Sequence, residues 1–150
     1  MRLVWLLLAG YASAETFSGK VVGISDGDTI TVLHGGRGEA IRLDGIDAPE
    51  RKQPFSAAAK KHLSDLVFQK TVRVEMKSKD RYQRSVGVIW LPDGRNVNQE
   101  MVRAGYAWWY RRYAPRDRKL DALEAEAREA RRGLWEEEEP TAPWIFRRGH

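Results

Sequence analysis

The chain of 150 residues has no cysteine. That excludes disulfides, thiolate metal sites and a cysteine nucleophile. Histidine is nearly as scarce: His34, His62 and His150 stand at no metal-ligand spacing, and each reads as a surface residue. There is no G-x-S-x-G elbow of the serine hydrolases. The glycines of "HGGRG" lack the Lys-Ser/Thr that a phosphate-cradling P-loop needs. No apolar run is long enough to span a membrane. The N-terminal one, from Leu3 to Ala9, falls far short of the ~20 residues a spanning helix requires. Arg2 precedes it, and Ala12, Ser13 and Ala14 follow as a small-x-small cleavage site. This is the pattern of a secretory signal over residues 1–14, and it predicts a secreted or periplasmic protein with no membrane attachment once the signal is removed.

What the chain has in quantity is charge. Lysine and arginine number 26 against 21 acidic residues, for a net charge of +5 and a pI near 9.6. That balance favours an anionic partner, either nucleic acid or an anionic membrane surface. A hydrophobic share of 42% suffices for one ordinary core, so residues 15–150 are expected to form a single domain.

Strand patterns begin at Phe17. "TFSGKVVGI" and "TITVL" are β-branched runs separated by "SDGD", an Asp-Gly turn signal. "HGGRGE" leads to a third run, "AIRLDGI", which completes an antiparallel meander. In "PFSAAAKKHLSDLVF", Ala59, Leu63, Leu66 and Val67 share one helical face. "TVRVEMKSK" alternates with Val72, Val74 and Met76 on one side, and "VGVIWL" is a fifth strand closed by "PDGR". "NVNQEMVRAG" reads as a short helix capped by Asn96 or Asn98, with Gly105 just past its end. A longer helix starts at an Asp117 N-cap and ends at Gly133, with an i,i+4 pair of Glu124 and Arg128. The tail after it, with Pro140 and Pro143, reads as extended and tied down by Trp135 and Trp144. Five strands with a helix after the third predict an α+β, mainly β fold: a closed five-stranded OB barrel with about three packed helices.

The chemistry must come from carboxylates and arginines. Asp26 and Asp28 share one turn; Asp44, Asp47 and Glu50 share the next. A strongly twisted barrel can bring two such turns to one rim. Clustered carboxylates raise one another's pKa unless a cation relieves them, and oxygen-only ligands suit a hard ion, Ca²⁺ or Mg²⁺. Arg42 and Arg84 supply forked guanidiniums matched to a phosphodiester that gains charge, and Glu50 could orient or deprotonate a water. Trp108, Trp109 and Tyr110 could stack bases but read first as core.

"DGDT" at 26–29, "RLDGIDAPE" at 42–50, "DRYQR" at 80–84, "VNQEMVRAGYA" at 97–107 and "RRGLW" at 131–135 stand in the order and approximate spacing of the staphylococcal nuclease family, which the chain resembles from Phe17 to about Trp144. The resemblance implies a calcium-dependent nuclease, an endonuclease acting on DNA and RNA and leaving 3′-phosphate ends. A single domain of this kind is expected to be a monomer. By position, Asp28 and Asp47 are the calcium carboxylates and Ala48 lends its backbone carbonyl. Glu50 acts on the attacking water, Arg42 and Arg84 bind the phosphate, and Tyr82 and Tyr113 lie near the nucleotide. Gln83 stands where a glycine is common. The competing expectations are a non-catalytic OB-fold nucleic-acid-binding module and a basic domain attached to a membrane surface.

Overall fold

The computed structural model describes residues 15–149, so the expected signal segment, residues 1–14, lies outside the described residues. Strands β1 (Thr16–Asp26), β2 (Thr29–His34) and β3 (Arg37–Leu43) form the expected meander. A two-residue strand, β4 (Ile46–Asp47), precedes helix α1 (Ser56–Val67). Strands β5 (Thr71–Lys79) and β6 (Ser85–Trp90) complete a closed barrel in the order β1-β2-β3-β6-β5. The barrel closes through one parallel pair, β3 with β6, and antiparallel pairs elsewhere.

Closure follows from alternation. Val72 and Val74 of β5 point inward between exposed neighbours, and meet Val21, Ile30, Val32, Ile41 and Ile89 in one fully buried core. Helix α1 lays Ala59, Leu63 and Val67 on this core, as its apolar stripe requires.

Helix α2 (Val97–Arg103) is capped by Asn96, whose side chain accepts from Gln99 N at 3.0 Å. Asn98 is not a cap. It is buried inside α2, donates to the carbonyls of Asp44 (3.0 Å) and Gly87 (3.1 Å), and accepts from Ile89 N (3.1 Å). Strand β7 (Trp108–Trp109) pairs with β4 as a small second sheet. Helix α3 (Arg118–Glu129) starts at the expected Asp117 cap.

The tail is not extended as expected. It forms a 3-10 turn, Gly133–Glu136, and a fourth helix, α4 (Pro143–Arg148). Proline caused the misreading. Pro143 occupies the first helical turn, where the missing N–H costs nothing and the fixed φ favours a helix. The anchoring by tryptophan is as expected. Trp144 stacks on Tyr110 with centroids 5.3 Å apart, and its edge meets Trp108 at 5.3 Å, while Trp135 is buried. No helix among the described residues is long and apolar enough to cross a membrane.

Candidate active site

Three chain segments meet at one rim of the barrel. The β1–β2 turn carries Asp28, the end of β3 carries Arg42, and β4 with the loop after it carries Asp47 and Glu50. The β5–β6 loop brings Tyr82 and Arg84, and the segment between β7 and α3 brings Tyr113. All seven line a single cleft of about 520 Å³. Of the catalytic, metal-binding and nucleotide-contacting residues expected from the family resemblance, only Ala48 is not on its wall.

The turn between β1 and β2 lies against α1. Gly27 has an ordinary negative φ, so left-handed backbone is not why glycine is there. A Cβ at this position would stand 2.7 Å from Ala59 Cβ and 2.8 Å from Ala48 Cβ. The close approach brings Asp28 to the β4 loop, where its Oδ2 accepts from Ala48 N at 2.9 Å and its Oδ1 from Thr29 Oγ1 at 3.0 Å. Asp26 does turn chemistry as well, accepting from Asp28 N at 3.0 Å.

Arg42 is buried among the acids. Its Nη1 donates to the carbonyls of Leu43 (3.1 Å) and Ile46 (3.0 Å). Its Nη2 lies 3.4 Å from Asp47 Oδ1 and 3.7 Å from Asp28 Oδ2. One guanidinium thus ties both acidic segments together.

The carboxylates respond differently to this crowding. Burial works to raise Asp28, but the charge of Arg42 and the hydrogen bonds from its neighbours outweigh it and hold the group below its ordinary value. Asp26 is pushed up to about 7, first by burial and then by the charge of Asp28. Asp47 is 1% exposed, and burial raises it despite hydrogen bonding by an arginine.

That arginine is Arg147, on α4. Its Nη1 and Nη2 bond Asp47 Oδ1 (3.0 Å) and Oδ2 (2.8 Å), and Nη1 also bonds Glu50 Oε1 (2.6 Å). These contacts raise the guanidinium pKa still further. The sequence reading placed no functional residue in this segment. The only signal there was the Arg-Arg pair that starts three residues after an anchored tryptophan. Gln53, also missed, is buried. It accepts from Glu50 N at 2.9 Å and donates to Thr141 O, joining the Glu50 loop to the base of α4.

The β5–β6 loop is built by Asp80. Its Oδ1 accepts from Tyr82 N (2.8 Å) and Arg84 N (2.9 Å), and its Oδ2 from Arg84 Nε (2.7 Å). Gln83 adopts φ +64, the left-handed conformation that glycine takes easily. Tyr82 and Tyr113 are 65% and 56% exposed, with rings open to the cleft. Trp108, Trp109 and Tyr110 are buried, as the core reading expected.

The donors at this rim are all oxygen, which suits a hard cation. In this conformation the Asp28 and Asp47 oxygens are engaged by protein donors. Among the described residues no three histidine or acidic side chains converge as a ready cation cage. The Arg147 guanidinium stands between Asp47 and Glu50 as a further positive charge of the site beside Arg42.

Fold and cleft together define an OB-barrel protein with a carboxylate–guanidinium site at its rim. The chain belongs to the staphylococcal nuclease homologue family, whose sequence model matches residues 40–137. It is 47% identical over 129 residues to an uncharacterized endonuclease of Escherichia coli, covering 86% of this chain and 84% of that protein. It is 44% identical over 150 residues to an uncharacterized endonuclease of Haemophilus influenzae, with 99% and 82% covered. It is 41% identical over 152 residues to a micrococcal nuclease of Shigella flexneri, with 95% and 87% covered.

Proposed function

We propose that the protein is an exported, calcium-dependent nuclease that hydrolyses phosphodiester bonds of DNA and RNA. One observation carries the reading: Asp28, Asp47, Glu50, Arg42 and Arg84 line one cleft of nucleotide size. The family and the names of its relatives support the nuclease class. Export rests on the signal pattern of residues 1–14.

Asp28, Asp47 and the carbonyl of Ala48 would hold the cation, which supplies charge neutralisation at the phosphoryl oxygens. Glu50 orients a water for in-line attack on phosphorus and accepts its proton. Arg42 and Arg84 offset the extra negative charge of the pentacoordinate state. Tyr82 and Tyr113 offer exposed rings to the neighbouring base and sugar. The P–O bond to the 5′ oxygen breaks, leaving a 3′-phosphate and a 5′-hydroxyl.

The test is cleavage of single-stranded DNA by the purified chain, with Ca²⁺ or with a chelator. Arg42→Ala, Arg84→Ala and Glu50→Gln should each lower the rate by at least ~10²-fold, the usual scale for losing one preorganised charge partner. Rates within tenfold of wild type in all three would sink the assignment. Binding without cleavage under every metal tried would identify a binding module instead.

A further inference from the structure

We infer that Arg147 is a built-in occupant of the cation subsite, and that α4 and a divalent cation compete for the Asp47 carboxylate. The inference rests on the proposed role of Asp47 and deepens it.

The geometry is that of a cation site already filled. Arg147 uses both terminal nitrogens on both oxygens of Asp47, and one of them also reaches Glu50. A forked, charge-assisted pair of this kind is among the strong hydrogen-bonding arrangements of a carboxylate. It leaves Asp47 no terminal oxygen outside a guanidinium contact: Arg147 takes both, and Arg42 shares Oδ1. A guanidinium and a calcium ion cannot occupy the same side of one carboxylate. Asp47 is almost wholly buried whereas the Arg147 side chain is 39% exposed. Arg147 therefore closes Asp47 off on the solvent side, the side from which a cation arrives.

The placement of Arg147 follows from how α4 is anchored. Pro143 is buried, and Trp144 packs on Tyr110 and Trp108. Residue 147 lies three positions after residue 144, on the same helical face. Gln53 holds Thr141 just ahead of the helix and the Glu50 backbone at the same time. The first turn is thus fixed against the barrel, while the last turn carries exposed Arg147, Arg148 and Gly149. A six-residue helix has little stability of its own, so its last turn can open without unfolding the domain.

Two states then share one set of charges. In one, Arg147 neutralises Asp47 and Glu50 and fills the cleft mouth. In the other, a cation neutralises Asp47, Glu50 is released towards water, and the guanidinium is turned out beside Arg148. Apparent cation affinity is reduced by the fraction of molecules in which Arg147 has vacated the site.

The test is calcium titration calorimetry on the full chain, wild type against Arg147→Gln, with Arg148→Gln as control for loss of one positive charge on the same helix. Arg147→Gln should bind Ca²⁺ at least ~tenfold tighter than wild type, and Arg148→Gln should stay within about twofold, a through-space effect screened by salt. Unchanged or weaker binding in Arg147→Gln overturns the inference, as does equal tightening in Arg148→Gln. If Arg147→Gln does not fold, hydrogen exchange on the wild type decides: saturating Ca²⁺ should deprotect the amides of residues 147–149 in the last turn, and unchanged protection overturns it. Calcium that binds wild type and variant equally removes the competition and leaves the nuclease reading standing. Failure of both to bind calcium removes both.

Discussion

Asn98 offers the sharpest test of how the cleft is held. Its side chain makes three hydrogen bonds while almost wholly buried, two to the carbonyls of Asp44 and Gly87 and one from Ile89 N. It thereby joins α2 to β6 and to the turn that leads into Asp47. Asn98→Ala deletes all three bonds and leaves their partners without water. At about 1 kcal/mol net per bond the loss is about 3 kcal/mol. With a urea m-value of about 2 kcal/mol/M, the midpoint should fall by about 1.5 M. Asn98→Asp preserves the shape but turns a carboxylate oxygen on two carbonyls, so it should be at least as damaging. Equilibrium urea unfolding of both variants gives the answer. A loss below about 1 kcal/mol in the alanine variant would refute the reasoning, as would an aspartate variant as stable as wild type.

Two further outcomes follow from packing and titration. Gly27→Ala forces a methyl against the Ala59 and Ala48 methyls at 2.7 and 2.8 Å. It should cost about 1–3 kcal/mol of stability and slow cleavage by parting the Asp28 turn from the β4 loop; unchanged denaturation and rate would show that the turn has slack. His62 packs against Tyr106, and burial holds its pKa below the ordinary value, so the folded state disfavours the imidazolium. Its stabilising effect is complete above the unfolded pKa of about 6.5 and is lost as pH falls through it towards the lower folded value. The stability gap between wild type and His62→Gln should therefore narrow on acidification from about pH 7.5 to 5.5, and a gap that stays constant in urea titrations would exclude the effect.

The barrel was legible because its signals are local. Alternation in residues 71–79, the Asp-Gly turn and the i,i+4 face of α1 each lie within a few residues, and the apolar pattern admits one inside. The two charged turns were legible for the same reason, and a twisted barrel does bring Asp28, Asp47 and Glu50 to one rim. Asn98 and Gly27 show where local reading stops. Both fitted a familiar local role, a cap and a turn glycine. The structure uses one as a cross-brace and the other to admit the methyls of α1 and the β4 loop.

Sequence was sufficient for the barrel strands, for helices α1 to α3 and for the acidic and basic residues of the rim up to Arg84, because those depend on periodicity and turn chemistry. It could not supply the partner of Asp47, which stands a hundred residues further along at Arg147. Nor could it show that the tail is helical and lies over the cleft, since Pro143 favours both an extended chain and a first helical turn. The choice was made by burial of Pro143 and by packing of Trp144 against Trp108 and Tyr110. Only tertiary packing creates that surface, so only tertiary structure could place a guanidinium between the two carboxylates.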